Sequence, residues 1–229
     1  RHIDTAAPYG NEAEVGRAIR ESGIPREELF VATKLWPTAF AKAEEAFLQS
    51  LLLLGLDYVD GYLLHWPGTD AGLRHRAWDT VLQMHDKGLV RCPGVSNFLP
   101  VHLEDLIGHA GVLPSYDQLE LHPWFQQQEA VAFCRARGIE VVAWSPLFRG
   151  RGADDPLPAL LAAKYEKSPA QILLRWHIQK GYHPIPKSAT ACRILENLAV
   201  FDFSLTEQEM ADLDALQDGR HIGSDPMTF

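Results

Sequence analysis

Cysteine is scarce in this chain of 229 residues, with three in all. Cys92, Cys134 and Cys192 are scattered and match neither a disulfide framework nor a metal-ligand spacing, so a reducing, cytoplasmic setting is expected. No apolar run approaches the ~18 residues of a membrane span, and no charged-then-apolar leader opens the sequence, so no membrane partner is expected. Basic residues are also in the minority: 21 Lys and Arg face 30 Asp and Glu, for a formal charge of −9. With no basic stripe, nucleic acid is an unsuitable partner. Glycine-rich phosphate turns are missing. Gly150-Arg151-Gly152 lacks the third glycine of a dinucleotide fingerprint, and there is no P-loop. The histidines form no HExxH or His-x-His pair, which leaves a metal site without support. Gly94-Val95-Ser96-Asn97-Phe98 is not the nucleophile elbow of a serine hydrolase. Asp4 and Glu120 are the one pair of strand-end carboxylates a glycosidase would need, but they fall far apart in the series of strands.

What is present is apolar bulk and a rhythm. Hydrophobic residues make up 46% of the chain and charged ones 22%, with six Trp, six Tyr and ten Phe, enough for a sizeable core. Short apolar runs near 1–3, 29–33, 58–64, 88–95, 116–120, 139–143 and 182–185 read as strands. Amphipathic stretches near 12–22, 41–54, 73–87, 101–109, 127–137, 157–164, 169–180, 191–197 and 206–216 read as helices. The last helix opens with Thr206 and, three residues on, Glu209, a capping box. Strand followed by helix seven times fits either an open doubly wound sheet or a closed barrel. The unbroken alternation, with no phosphate turn, favours an α/β (β/α)₈ TIM barrel, one domain over 1–229. Arg1-His2-Ile3-Asp4 reads as a strand already under way, so the expectation is that the first βα unit lies ahead of Arg1.

In such barrels chemistry gathers at the carboxyl ends of the strands. Asp4, Lys34 and His65 fall there, 30 and 31 residues apart, and Ser96-Asn97 follows after another 31. Gln118, Trp144-Ser145 and Lys187-Ser188 end the later strands, and Tyr9 lies in the loop after Asp4. Adjacent strands are ~4.8 Å apart, so these side chains should converge at one rim. Taken singly, each has a structural explanation: Asp4 as a helix cap, Lys34 as a snorkelling cation, His65 as a core histidine, Tyr9 as a packed loop aromatic. Together they suggest more. A buried Lys34 needs a counter-charge, which Asp4 would supply. The ammonium would pull the Tyr9 phenol below its reference pKa of ~10, making it a proton donor for an alcohol–carbonyl pair. His65 would then polarise the carbonyl oxygen.

The runs His2-Ile3-Asp4-Thr5-Ala6, Tyr9-Gly10-Asn11-Glu12, Ala32-Thr33-Lys34-Leu35-Trp36, Leu64-His65-Trp66-Pro67, Gly94-Val95-Ser96-Asn97-Phe98, Gln118-Leu119-Glu120-Leu121-His122-Pro123 and Ile185-Pro186-Lys187-Ser188 together resemble the aldo-keto reductases along the whole chain. Trp144 followed by Ser145-Pro146-Leu147, with the short tail from Gly219 to Phe229, is most similar to the bacterial branch that includes 2,5-diketo-D-gluconate reductase. The resemblance implies a (β/α)₈ barrel that reduces small aldehydes and ketones with NADPH and no metal, as a monomer. It implies Tyr9 as general acid, tuned by Lys34 and Asp4, with His65 orienting the carbonyl. Ser96, Asn97 and Gln118 would bind the nicotinamide carboxamide and Trp144 would stack on its ring. Ser145, Pro146 and Leu147 would lie at the pyrophosphate. Lys187, Ser188, Thr190 and Arg193 would hold the 2′-phosphate, with Glu196 and Asn197 near the adenine. Trp36 and Trp66 would wall the substrate pocket. Two positions depart from the pattern: Asp117 stands where the family usually has Asn, and Pro93 falls within a strand. A non-catalytic nucleotide-binding or regulatory member of the same fold is the alternative, and it would not require the set Tyr9, Lys34, Asp4 and His65.

Overall fold

The computed structural model describes residues 1–229, apart from the side chains of residues 153 and 154. Seven strands are present: β1 (His2–Asp4), β2 (Phe30–Leu35), β3 (Val59–Leu64), β4 (Val90–Ser96), β5 (Tyr116–Glu120), β6 (Glu140–Trp144) and β7 (His183–Pro184). Their order in the sheet is the order of the chain. The pairs β1–β2, β2–β3, β3–β4 and β6–β7 are parallel. The α-helices are α1 (Glu12–Glu21), α2 (Ala43–Leu54), α3 (Ala71–Asp86), α4 (Pro100–Ala110), α5 (Gln128–Ala136), α6 (Pro156–Tyr165), α7 (Pro169–Gln179), α8 (Ala191–Leu198) and α9 (Glu207–Asp214). None of the described helices is long and apolar enough to cross a membrane. The chain divides into two compact units, Arg1–Asp117 with Ser224–Phe229 and Gln118–Gly223.

In the first unit, every residue of β3 is buried, as expected of a parallel strand covered on both faces. Its one carboxylate, Asp60, is paired with Arg26 at 2.7 Å and Arg91 at 3.0 Å and also accepts the Val31 backbone N–H. Gly61 and Gly94 are required by packing. A methyl group at Gly61 would lie 2.1 Å from the Tyr116 hydroxyl, and one at Gly94 would lie 2.9 Å from the same ring. Pro93 is accommodated: it pairs with Tyr62 inside an unbroken β4, and its carbonyl accepts the Ser115 N–H.

In the second unit, Trp124, Phe148 and Leu173 form a buried cluster against which Leu147, Leu216 and Ile222 pack. The capping box expected at Thr206 is present, with the Glu209 carboxylate accepting the Thr206 N–H at 2.8 Å and the Glu209 N–H reaching the Thr206 hydroxyl at 3.3 Å. Burial opposes the Glu209 charge, but Lys164, Tyr165 and Thr206 donate to it and hold it at about 2. Element bounds shift by a few residues from the sequence pattern. α2 starts at Ala43, after a 3₁₀ stretch over Pro37–Lys42 opened by its proline. β7 shrinks to two residues, and β2 extends to Leu35.

Candidate active site

Because β2 runs on to Leu35, Lys34 lies inside the strand rather than beyond its end, in register with Leu63. Its side chain is fully buried and ion-paired with Asp4, 2.5 Å from Nζ to Oδ1, and the same ammonium donates to the Thr5 carbonyl at 2.8 Å. A buried ammonium is tolerable only with such partners. The loop after β1 carries Tyr9. Gly10, at φ 66°, closes its 3₁₀ turn. On either side, Thr5 bonds Asn11 at 2.6 Å and Thr33 bonds the buried Glu12 at 2.6 Å. So Tyr-Gly-Asn-Glu is a turn tied to β1 and β2, and it sets the Tyr9 ring 5.2 Å from the Lys34 ammonium. Tyr9 itself is 55% exposed. His65 follows β3, with its backbone N–H on Leu35 and its ring edge-on to Tyr9 at 5.7 Å and to Trp36 at 5.0 Å. Burial, aided by the Lys34 charge, pushes the His65 pKa down to about 3, so the imidazole is neutral at physiological pH. Asp4, Tyr9, Lys34 and His65 therefore lie together, as the strand spacing predicted.

Trp36 and Trp66 stand beside this group, joined by a residue that the sequence did not flag. Phe229 stacks on Trp66 at 4.3 Å and meets Trp36 edge-on at 5.2 Å. No local pattern announces such a partner. Ser96 ends β4 and Asn97 follows it, both buried. Asn97 adopts the left-handed region that Asn tolerates (φ 63°), and its amide donates to the His65 carbonyl and the Ser96 hydroxyl, each at 3.1 Å. Asp117 is fully buried, and among the described residues neither carboxyl oxygen has a hydrogen bond of good geometry. Desolvation raises its pKa well above the carboxylate range, only partly offset by the Phe98 N–H.

The remaining candidates belong to the second unit. Gln118 is buried within β5, and Trp144 ends β6 half-buried. After it the backbone is unusual: Ser145, Phe148, Arg149 and Gly150 all have positive φ, while Leu147 lies near the bridge region. Two N–H groups are spent inside this turn, Phe148 on the Ser145 carbonyl and Gly150 on the Leu147 carbonyl, each at 2.8 Å. Lys187 and Arg193 are exposed, and Ser188 accepts the Thr190 N–H at 3.2 Å. Arg193, Glu196 and Asn197 ride on α8. Among the described residues no ion pair joins Arg193 to Glu196. Lys187, Arg193 and the Ser188 hydroxyl are side chains of the kind that suits a phosphate-bearing ligand. Among the described residues no group of three or more His, Cys, Asp or Glu side chains is placed to hold a metal ion.

Comparison with known proteins places these observations in a family. The model of the aldo/keto reductase family matches residues 1–218. The 9,11-endoperoxide prostaglandin H2 reductase of Trypanosoma cruzi is 45% identical over all of this chain and 82% of its own length. Methylglyoxal reductase DkgA of Escherichia coli is 43% identical over all of this chain and 84% of its own. Among solved structures, a Bombyx mori aldo-keto reductase in complex with NADP matches 96% of this chain and 80% of its own, with a TM-score of 0.89 and 39% identity.

Proposed function

Since the chain belongs to the aldo/keto reductase family, we propose that it reduces aldehydes or ketones to alcohols with NADPH in preference to NADH, and that Tyr9 is the general acid. When bound, NADPH supplies the hydride. The residues suited to hold it are Ser96, Asn97, Gln118 and Trp144 for the nicotinamide, Ser145, Pro146 and Leu147 for the pyrophosphate, and Lys187, Ser188, Thr190 and Arg193 for the 2′-phosphate, with Glu196 and Asn197 by the adenine. The chain's own chemistry is a proton transfer. The Tyr9 hydroxyl gives its proton to the carbonyl oxygen as negative charge builds there. The Lys34 ammonium, held by Asp4 and the Thr5 carbonyl, stabilises the phenolate left behind. His65, neutral, donates a hydrogen bond to the same oxygen without adding a second cation beside Lys34. Trp36, Trp66 and Phe229 give the carbonyl compound an aromatic wall.

The observation that carries this reading is the fully buried Lys34 ammonium, ion-paired with Asp4 and lying over the Tyr9 ring. A module that only bound nucleotide would gain nothing from burying a cation beside a phenol. The test is Tyr9→Phe, followed by loss of NADPH absorbance against a panel of aldehydes, ketoses and keto acids. Turnover should drop by ~10²–10⁴-fold, the usual worth of a general acid, with NADPH affinity unchanged. Near-normal turnover in that variant would remove Tyr9 from the mechanism.

A further inference from the structure

Glu120 stands two residues beyond Gln118 on β5, and its carboxylate is 2% exposed. Both oxygens are engaged by a segment about a hundred residues later. Oε1 accepts the Ile222 N–H and Oε2 the Gly223 N–H, each at 2.7 Å, and Oε1 also faces His122 Nε2 at 3.1 Å. Burial works against the charge, yet the His122 ring and the two backbone donors outweigh it and hold the carboxyl below its usual range. Paired N–H groups on one carboxylate are charge-assisted and fix orientation as well as position. Gly223 is wedged beyond this clasp. A methyl group there would lie 2.8 Å from the Trp144 ring and 3.0 Å from Glu120 Oε2. Ile222 meanwhile packs on the Trp124–Phe148–Leu173 cluster, which Leu147 also joins. Carboxylate, backbone and indole are thus layered: Glu120 holds residues 222–223, and those residues lie directly against the edge of Trp144.

We propose that Glu120 is a positioning residue, latching the backbone at Ile222–Gly223 so that this segment holds the Trp144 indole in one orientation. This rests on the reading that Trp144 is the platform for the nicotinamide ring. The consequence is that cofactor affinity depends on a carboxylate that never touches the cofactor. Turnover at saturation changes least, because Glu120 takes no part in the proton transfer.

The test uses the whole chain with Glu120→Gln, read by amide hydrogen exchange and by NADPH titration. Gln presents one oxygen and one NH₂ where two N–H groups need acceptors. The Ile222 and Gly223 amides should exchange roughly tenfold faster or more, the range of a lost charge-assisted bond, while those of β6 and α9 keep their protection. NADPH Kd should rise by about fivefold or more, with kcat within about twofold of wild type. Glu120→Asp, which keeps the charge, should recover part of the affinity. If Glu120→Gln does not fold, Gly223→Ala loads the same contact from the segment's side and should weaken NADPH while leaving kcat high. Unchanged protection of the two amides would overturn the latch. Fast exchange with wild-type NADPH affinity would overturn its positioning role. Should wild-type protein take up no NADPH, the Trp144 reading fails, and the exchange measurement still judges the latch.

Discussion

Asp4→Asn isolates the physical core of the candidate site. The substitution keeps the shape of the side chain and removes its charge, leaving the Lys34 ammonium fully buried with the Thr5 carbonyl as a neutral acceptor. Removing one partner of a buried ion pair costs about 3–5 kcal/mol, because the remaining charge is desolvated and uncompensated. Each kcal/mol lowers Tm by about 2–4 °C in a chain of this size, so the variant should melt roughly 6–20 °C below wild type. Asp4, whose side chain is 11% exposed, can regain some water when Lys34 is lost, so Lys34→Met should destabilise less than Asp4→Asn. The double variant Asp4→Leu with Lys34→Met should recover most of the loss, since apolar groups of similar volume replace a buried pair at little or no cost. Carbonyl reduction should be lost in all three. Thermal unfolding followed by circular dichroism at pH 7 supplies the stabilities, and repeating it in high salt should change the differences little, because a buried pair is poorly screened. An Asp4→Asn variant that melts within about 2 °C of wild type, or a double variant less stable than either single one, would show that this pair does not stabilise the fold in this way. A stable, inactive double variant would separate what this pair does for the fold from what it does for chemistry.

Arg193→Ala should weaken NADPH by ~10–100-fold while barely changing NADH, the worth of hydrogen bonds to a charged phosphate; equal losses in fluorescence titrations with both cofactors would show that Arg193 does not read the 2′-phosphate. Stability should fall as pH drops from about 6.5 toward 4. His65 and His177 are held at about 3 and about 4 by burial, and burial lowers His102 too, so the unfolded chain takes up protons that the fold refuses. A Tm that stays flat over that window would contradict it. Asp117 acts with the opposite sign. Its folded pKa is raised, so the stability linked to its proton is complete below about 3.8 and is lost as pH rises. Asp117→Asn should therefore gain Tm relative to wild type as pH rises and steepen the loss on the acid side, whereas an offset independent of pH would rule this out.

Much of the site could be read from the sequence because the fold has a period. One βα repeat of about thirty residues carries Asp4 to Lys34 to His65, so equal spacing along the chain becomes adjacency in the parallel pairs β1–β2 and β2–β3. Local chemistry was equally legible: Thr206 and Glu209 lie within one helical turn of each other, and the box they form needs nothing from the rest of the molecule. What escaped depends on distance in the chain or on backbone atoms. The Thr5 carbonyl that receives Lys34 has no side-chain signature. Phe229 meets Trp66 and Trp36 through a contact spanning most of the sequence. Glu120 stood out as a strand-end carboxylate, but its partners are the amides of residues 222 and 223, which no motif encodes.

Asp117 and Glu120 show why a buried carboxylate cannot be interpreted from burial alone. Both lie on β5, three residues apart, and both are almost entirely removed from water. Desolvation is the first influence on each and pushes both toward the neutral acid. Glu120 receives two backbone N–H groups and the His122 ring, and these reverse the outcome. Asp117 has only the nearby Phe98 N–H, which does not outweigh desolvation, so its pKa stays raised. The same rule divides the cations and bases of the candidate active site. Lys34 is buried but ion-paired with Asp4, whereas His65 is buried beside that ammonium, its Nδ1 without a partner, and remains neutral. A carbonyl oxygen arriving there would meet one fixed cation behind a phenol and one neutral donor. That combination favours an alcohol oxygen forming on the substrate while leaving Tyr9 the only group in the set placed to give up a proton.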